Sequence, residues 1–111
     1  MKWKTELWPR ALRDYFDILN YLSDFYPSTP RNFDIAFQKA KRRLEDNPYG
    51  WSVYYDNPAY RRALIGKYTM LYKIDEGRHE VHIHRLLRGS WDIPRIMRES
   101  EDSEEVLEHD E

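Results

Sequence analysis

The spacing of the apolar residues changes period once along this chain, near Gly50, and that change limits the folds open to it. Before it, Leu12, Tyr15, Phe16, Leu19, Leu22 and Phe25 recur at three- and four-residue steps, which predicts an amphipathic helix over residues 10–26. The Pro27-Ser28-Thr29-Pro30 segment punctuates it, with Thr29 placed to cap a second helix and Pro30 to take its first position. That helix carries the stripe Phe33, Ala36, Phe37, Ala40 and Leu44, sets Lys39, Arg42 and Arg43 on the opposite side, and ends at Asn47-Pro48-Tyr49-Gly50. After Gly50 the texture becomes extended: Trp51, Val53 and Tyr55, then residues 60–65, 68–74 and 80–87, each run rich in β-branched or aromatic side chains. Gly66 marks a bend, and Asp75-Glu76-Gly77-Arg78 reads as a hairpin loop. Ahead of everything, Trp3, Thr5 and Leu7 alternate with Lys2, Lys4 and Glu6, a short strand that Pro9 stops.

The order strand, helix, helix, then three or four strands predicts an α+β domain, with a helical pair covering one face of a three- to four-stranded antiparallel sheet. The other face is expected to stay open, and an open face is where a small domain of this kind binds. Tyr68, Met70, Tyr72 and Ile74 share one side of their strand and read as core. Residues 90–98 are expected to add a helical turn starting near Pro94.

Charge is distributed unevenly. All 18 Lys and Arg precede Glu99, against 12 of the 20 acidic residues, so residues 1–98 are basic by six and residues 99–111 acidic by eight. We therefore expect a domain over 1–98 and a disordered acidic tail over 99–111 that can shield the basic surface. Cysteine is absent, which excludes disulfides, thiol nucleophiles and cysteine-ligated zinc. No apolar run approaches the roughly 18 residues of a membrane span, and the N-terminus lacks an apolar leader core, so a cytoplasmic protein without a membrane partner is expected.

The segment from Tyr60 through Tyr68, Tyr72 and Ile74 to Asp75, followed by Val81-His-Ile-His-Arg85-Leu-Leu-Arg88-Gly89-Ser-Trp91-Asp92, resembles the C-terminal half of RelE/ParE toxins. With the strand–helix–helix beginning, the resemblance covers roughly residues 3–98. It implies the toxin half of a type II toxin–antitoxin pair, a plasmid-stabilisation protein neutralised by an antitoxin that wraps it, and it admits two mechanisms on one fold. ParE-like members inhibit DNA gyrase without catalysis. RelE-like members cut ribosome-bound mRNA with arginines, lysines and a tyrosine on the open sheet face. Here Thr69 follows Tyr68 and Ser90 follows Gly89, where the nucleases carry arginines.

Metal-free RNA cleavage needs a base for the 2′-hydroxyl, an acid for the leaving oxygen and a cation for the transition state. The residues left for it are Arg62, His84, Arg85 and Arg88. Surface for a protein or nucleic-acid target is read in Lys39, Arg42, Arg43, Arg62, Arg85, Arg88 and Trp91. His82 and His84 stand two apart on one strand, but without a third ligand in a recognisable position they read as a surface pair, so no metal and no cofactor is expected. Three readings follow: a gyrase inhibitor bound by a cognate antitoxin in a hetero-oligomer, a ribosome-dependent mRNA endonuclease with altered active-site residues, and a non-toxic binding module of the same fold.

Overall fold

Pro9 both ends the first strand and opens the first helix, because its missing N–H costs nothing at the first helical position. The computed structural model describes residues 2–25, 27–89, 91 and 93–99. Its elements in chain order are β1 (Lys4–Leu7), α1 (Pro9–Leu22), α2 (Ser28–Asp46), a 3-10 turn (Pro48–Gly50), β2 (Arg61–Ile65), β3 (Tyr68–Asp75) and β4 (Glu80–Arg88). A last helix, α3, spans residues 93–99. Of the acidic tail expected over residues 99–111, Glu99 ends α3, and residues 100–111, like Ser90 and Asp92, lie outside the described residues.

The α+β class holds. The sheet order is β1-β4-β3-β2, with β2–β3 and β3–β4 antiparallel as the meander requires, and β1 joining β4 in parallel, so the sheet is mixed. The β2–β3 connection is the two-residue turn Gly66-Lys67, and Gly66 has φ of 58°. Glycine at the first position of such a turn adopts this conformation without a Cβ penalty. One irregularity interrupts the β3–β4 ladder: Tyr72 pairs with Ile83 and Leu71 with Arg85, which leaves His84 as an extra residue in β4.

The helical pair covers one sheet face. Phe33, Phe37, Ala40 and Leu44 of α2 and Ala11 and Ile18 of α1 form one core with Tyr68, Met70, Tyr72, Val81 and Ile83. Tyr72 is fully buried and donates its hydroxyl hydrogen to the Pro48 carbonyl at 2.7 Å. Burial pushes that phenol up to about 12, with Arg61 acting in the opposite sense. A pKa raised on folding contributes stability that is complete below the ordinary value near 10 and lost as pH climbs through 12. We expect the urea midpoint to fall over that window by the equivalent of up to about 3 kcal/mol, and Tyr72→Phe to flatten the fall.

Three expectations need correction. On α1 the buried residues are Ala11, Asp14 and Ile18, while Leu12 and Phe16 are 45% and 58% exposed. The helix turns its small residue to the sheet so that the two can approach closely, and two large members of the predicted stripe are left outside. The second helix begins at Ser28 after Pro27, and Thr29 does not cap it. Pro30 sits instead at the third position, still among the N–H groups that have no intrahelical partner. Residues 51–60 form no strand, only an isolated bridge between Val53 and Arg61, because hydrogen-bonded turns at Tyr54–Asn57 and Asn57–Tyr60 coil the segment.

The second sheet face is not left open throughout. Tyr54, Tyr60, Leu71, Leu87 and Met97 make a second buried cluster, with Ile93 and Ile96 packed against it, so α3 and the coil over residues 51–60 roof the middle of this face. The segment predicted as a helical turn near Pro94 therefore helps to close the face.

Candidate functional site

The end of β1 determines what happens to the arginines. β1 pairs with β4 only as far as Leu7 opposite Ile83, and Trp8 adds one more bond, its N–H to the Ile83 carbonyl at 2.9 Å. Beyond that point β4 would be a bare edge with unpaired backbone groups. Asp14 of α1 takes the place of the missing strand. Its carboxylate accepts the Leu86 backbone N–H at 3.0 Å and a two-pronged bond from Arg85, Nε at 2.7 Å and Nη2 at 3.1 Å. Arg85 is 6% and Asp14 9% exposed. A fork-to-carboxylate pair at these distances is a strong charge-assisted hydrogen bond. Arg85, expected to be displayed to a target or a transition state, is instead a buried tie between β4 and α1.

His84 is withdrawn in a different way. Its ring lies between Trp8, tilted at 4.0 Å between centroids, and the edge of Tyr60 at 5.2 Å. It is 3% exposed, and its Nε2 has no hydrogen-bond partner among the described residues. Burial, then the charges of Lys73 and His82, hold its pKa down to about 4, so the imidazole is neutral near pH 7. A general acid or base must reach the reacting atom directly or through one water. His84 is walled off by aromatic rings.

The remaining predicted residues separate into three places. Arg62 is exposed on β2, at the free edge of the sheet, with its backbone N–H bonded to the Ser52 carbonyl at 3.1 Å. Lys39, Arg42 and Arg43 are exposed on the C-terminal half of α2, with the Arg43 guanidinium 4.7 Å above the Trp51 ring. Arg88 and Trp91 come together at the opposite end of the domain. Arg88 donates to the Tyr21 hydroxyl at 3.4 Å, and a cavity of about 350 Å³ is lined by Arg88, Trp91, Tyr21 and Tyr68 together with Asp17 and Leu86.

Around Arg88 this cavity adjoins a larger groove of about 590 Å³, between the tip of the helical hairpin and the β2–β3 turn. Its walls are mostly apolar: Tyr21, Phe25, Phe33, Ala36, Ile65 and Tyr68, with Lys67 and Arg88 as the cations. Tyr68 stands edge-on to Phe33 at 5.1 Å, and burial raises its phenol pKa while Arg88 opposes the shift. Tyr21 and Phe25 are about half exposed and stack edge to face at 5.2 Å. An apolar trough with a guanidinium and an ammonium beside it suits the apolar side of an amphipathic peptide whose flanks are acidic.

Sequence reading missed Asp14, although one signal was present: a carboxylate three residues after Ala11 and four before Ile18 interrupts the face that packs on the sheet. It also missed Tyr21, which falls outside the predicted stripe. A further juxtaposition was unreadable, because it depends on strand register: Glu6 of β1 and Glu80 and His82 of β4 bring their ligand atoms within 4.8 Å of one another.

No helix among the described residues is long and apolar enough to cross a membrane. No curated protein compared is close enough in sequence to count as a relative. Among solved structures, the chain resembles one in the toxin–antitoxin complex RelBE2 of Mycobacterium tuberculosis, with a TM-score of 0.58 and 20% identity over 79% of this chain and 99% of that one. It also resembles one in the chromosomal ParDE toxin–antitoxin system of P. aeruginosa, with a TM-score of 0.67 and 13% identity over 78% and 95%. At such identities the likeness is one of fold, and the fold is the RelE/ParE one. The sequence itself matches the model of the ParE toxin of the type II toxin–antitoxin system parDE across residues 6–93. That match spans β1 to the start of α3, and with it the chain belongs to the ParE toxin family of type II toxin–antitoxin systems.

Proposed function

We propose that this protein is a cytoplasmic ParE-like toxin that disables DNA gyrase by binding, without catalysis, and that a cognate antitoxin holds it silent. The observation that carries the reading is the fate of two of the four residues read as candidates for RNA cleavage. Arg85 is consumed in the ion pair with Asp14, and His84 is buried and neutral between Trp8 and Tyr60. Arg62 and Arg88 remain, on separate parts of the surface, Arg62 on β2 and Arg88 beside the Tyr21 hydroxyl. A binding toxin needs none of these, only presented surface.

For gyrase, that surface is the basic row of α2, Lys39, Arg42 and Arg43, which is exposed and lies outside the apolar groove. For the antitoxin, it is the groove around Tyr21, Phe25 and Tyr68, with Lys67 and Arg88 pairing with acidic residues of the incoming segment. The likeness to chains from toxin–antitoxin complexes supports a partner of this kind. The two surfaces adjoin along α2, so a wrapped antitoxin blocks access to both.

The test is a supercoiling assay with purified gyrase. The toxin is expected to abolish supercoiling, and adding its antitoxin to restore it. The pair Lys39→Glu and Arg42→Glu should weaken inhibition about tenfold or more with no change in Tm, since exposed charges away from special features barely alter stability. Undisturbed supercoiling at saturating toxin would contradict the proposal.

A further inference from the structure

Glu6 and His82 are direct neighbours in the parallel β1–β4 register, and Glu80 stands two residues before His82 on the same strand. Period-two alternation therefore puts all three side chains on one face of the sheet, opposite the helical pair. We propose that Glu6, Glu80 and His82 form a binding site for a divalent metal ion of the zinc class, which fastens β1 to β4.

Geometry is the first support. One carboxylate oxygen of each glutamate and one ring nitrogen of His82 lie within 4.8 Å of one another, and His82 Nε2 is 3.0 Å from Glu80 Oε1. Neighbouring ligand atoms around a tetrahedral zinc ion stand about 3.3 Å apart when metal–ligand bonds are about 2.0–2.1 Å. Two donors, joined to each other by a hydrogen bond that an ion would replace, thus stand close to that spacing, and the third ligand, Glu6, is exposed and reaches them by a side-chain adjustment. His82 and Glu80 are 14% and 18% exposed, which fixes most of the site before any ion arrives.

Charge is the second. Two carboxylates converge here, and among the described residues Glu6 makes no ion pair. Two lysines are near in register, Lys4 opposite Glu80 and Lys73 opposite His82, yet neither is ion-paired to the cluster, and the Lys73 ammonium sits 4.6 Å over the Tyr60 ring. A divalent ion would neutralise the two carboxylates in full. The mixed donor set selects the class of ion: an imidazole nitrogen with two carboxylates suits zinc and its first-row neighbours, whereas magnesium and calcium favour all-oxygen sites. The Trp8 ring lies tilted at 5.4 Å from that of His82, and water would complete a four-coordinate site of this kind.

The consequence is mechanical. β1 has only four residues and pairs with β4 alone, so few ladder bonds hold it to the sheet. An ion shared between Glu6 on β1 and the two β4 ligands binds the folded state and not the unfolded one, and so holds the N-terminal strand in place.

The test uses the full-length, untagged protein stripped with chelator. Zinc chloride is titrated calorimetrically, cobalt chloride is followed by its visible absorption, and Tm is read with and without zinc. One equivalent should bind with the cobalt spectrum of a four-coordinate site, and zinc should raise Tm. His82→Ala and Glu6→Gln, both confirmed as folded by circular dichroism, should each lose at least tenfold in affinity and the rise in Tm. His109→Ala, in the acidic tail, should bind as the parent does. Absence of saturable binding, or one-to-one binding that survives both His82→Ala and Glu6→Gln, would overturn the proposal.

Discussion

Arg85→Ala should lower the stability of the domain by about 3–5 kcal/mol, enough to shift Tm down by on the order of 10–20 °C. The reason lies in what is left behind. Asp14 is 9% exposed and accepts from the Leu86 N–H and from two nitrogens of Arg85. Without the guanidinium, a carboxylate stays buried with a single amide donor, and an uncompensated buried charge is among the largest single-site penalties in a domain whose total stability is about 5–15 kcal/mol. Removing both partners is a different experiment. In Asp14→Leu with Arg85→Met no charge is stranded, so most of the loss should be recovered. The Leu86 N–H then loses its acceptor on an uncovered stretch of β4, which retains a deficit of about 1–3 kcal/mol. Urea denaturation of Asp14→Leu, Arg85→Met and the double variant measures the coupling directly. An Arg85→Ala protein within about 1 kcal/mol of the parent would mean that the pair does not hold β4 to α1. The same variant bears on function: loss of toxicity in Arg85→Ala should track loss of the folded state, not loss of a catalytic group.

A charge placed in the apolar groove should abolish neutralisation without harming the fold. Phe25 is 57% exposed and Ala36 is exposed, so Phe25→Asp or Ala36→Glu costs the isolated domain little. In the complex proposed above the same positions would lie beneath the apolar side of the antitoxin. An aromatic anchor or a central desolvated contact is worth about 2 kcal/mol or more, and a buried unpaired carboxylate adds to that, so affinity should fall about 100-fold or further. Cells carrying the variant toxin with its antitoxin should die as though the antitoxin were absent. Calorimetric affinities together with Tm values separate the two effects. Parental affinity in both variants would place the antitoxin elsewhere.

The sequence disclosed the elements of this fold more fully than the fates of its arginines. Strand and helix periods are local, so β1, both helices and the β2–β4 meander were legible, as was the core stripe Tyr68, Met70, Tyr72 and Ile74. What escaped depended on long-range register. The rotation of α1 follows from the close approach of Ala11 to the sheet, and no spacing rule distinguishes that from a stripe centred on Leu12 and Phe16. The roof over the second face needs Met97 to meet Leu71 and Leu87 across the chain. Arg85 looks like any surface arginine until β1 is seen to stop at Leu7 and Asp14 to take over the β4 edge. His82 and His84 look alike in sequence, yet the β4 irregularity at His84 seals one ring between aromatics while the other meets two glutamates.

Primer extension on ribosome-bound transcripts, from cells expressing the toxin without antitoxin, separates action by binding from action by cleavage. Intact 5′ ends throughout, at toxin levels that stop growth, are the result this account predicts. Discrete cleavage within codons that disappears in Arg62→Ala would contradict it, since that pattern requires an active site of the kind that the buried Arg85 and His84 cannot supply.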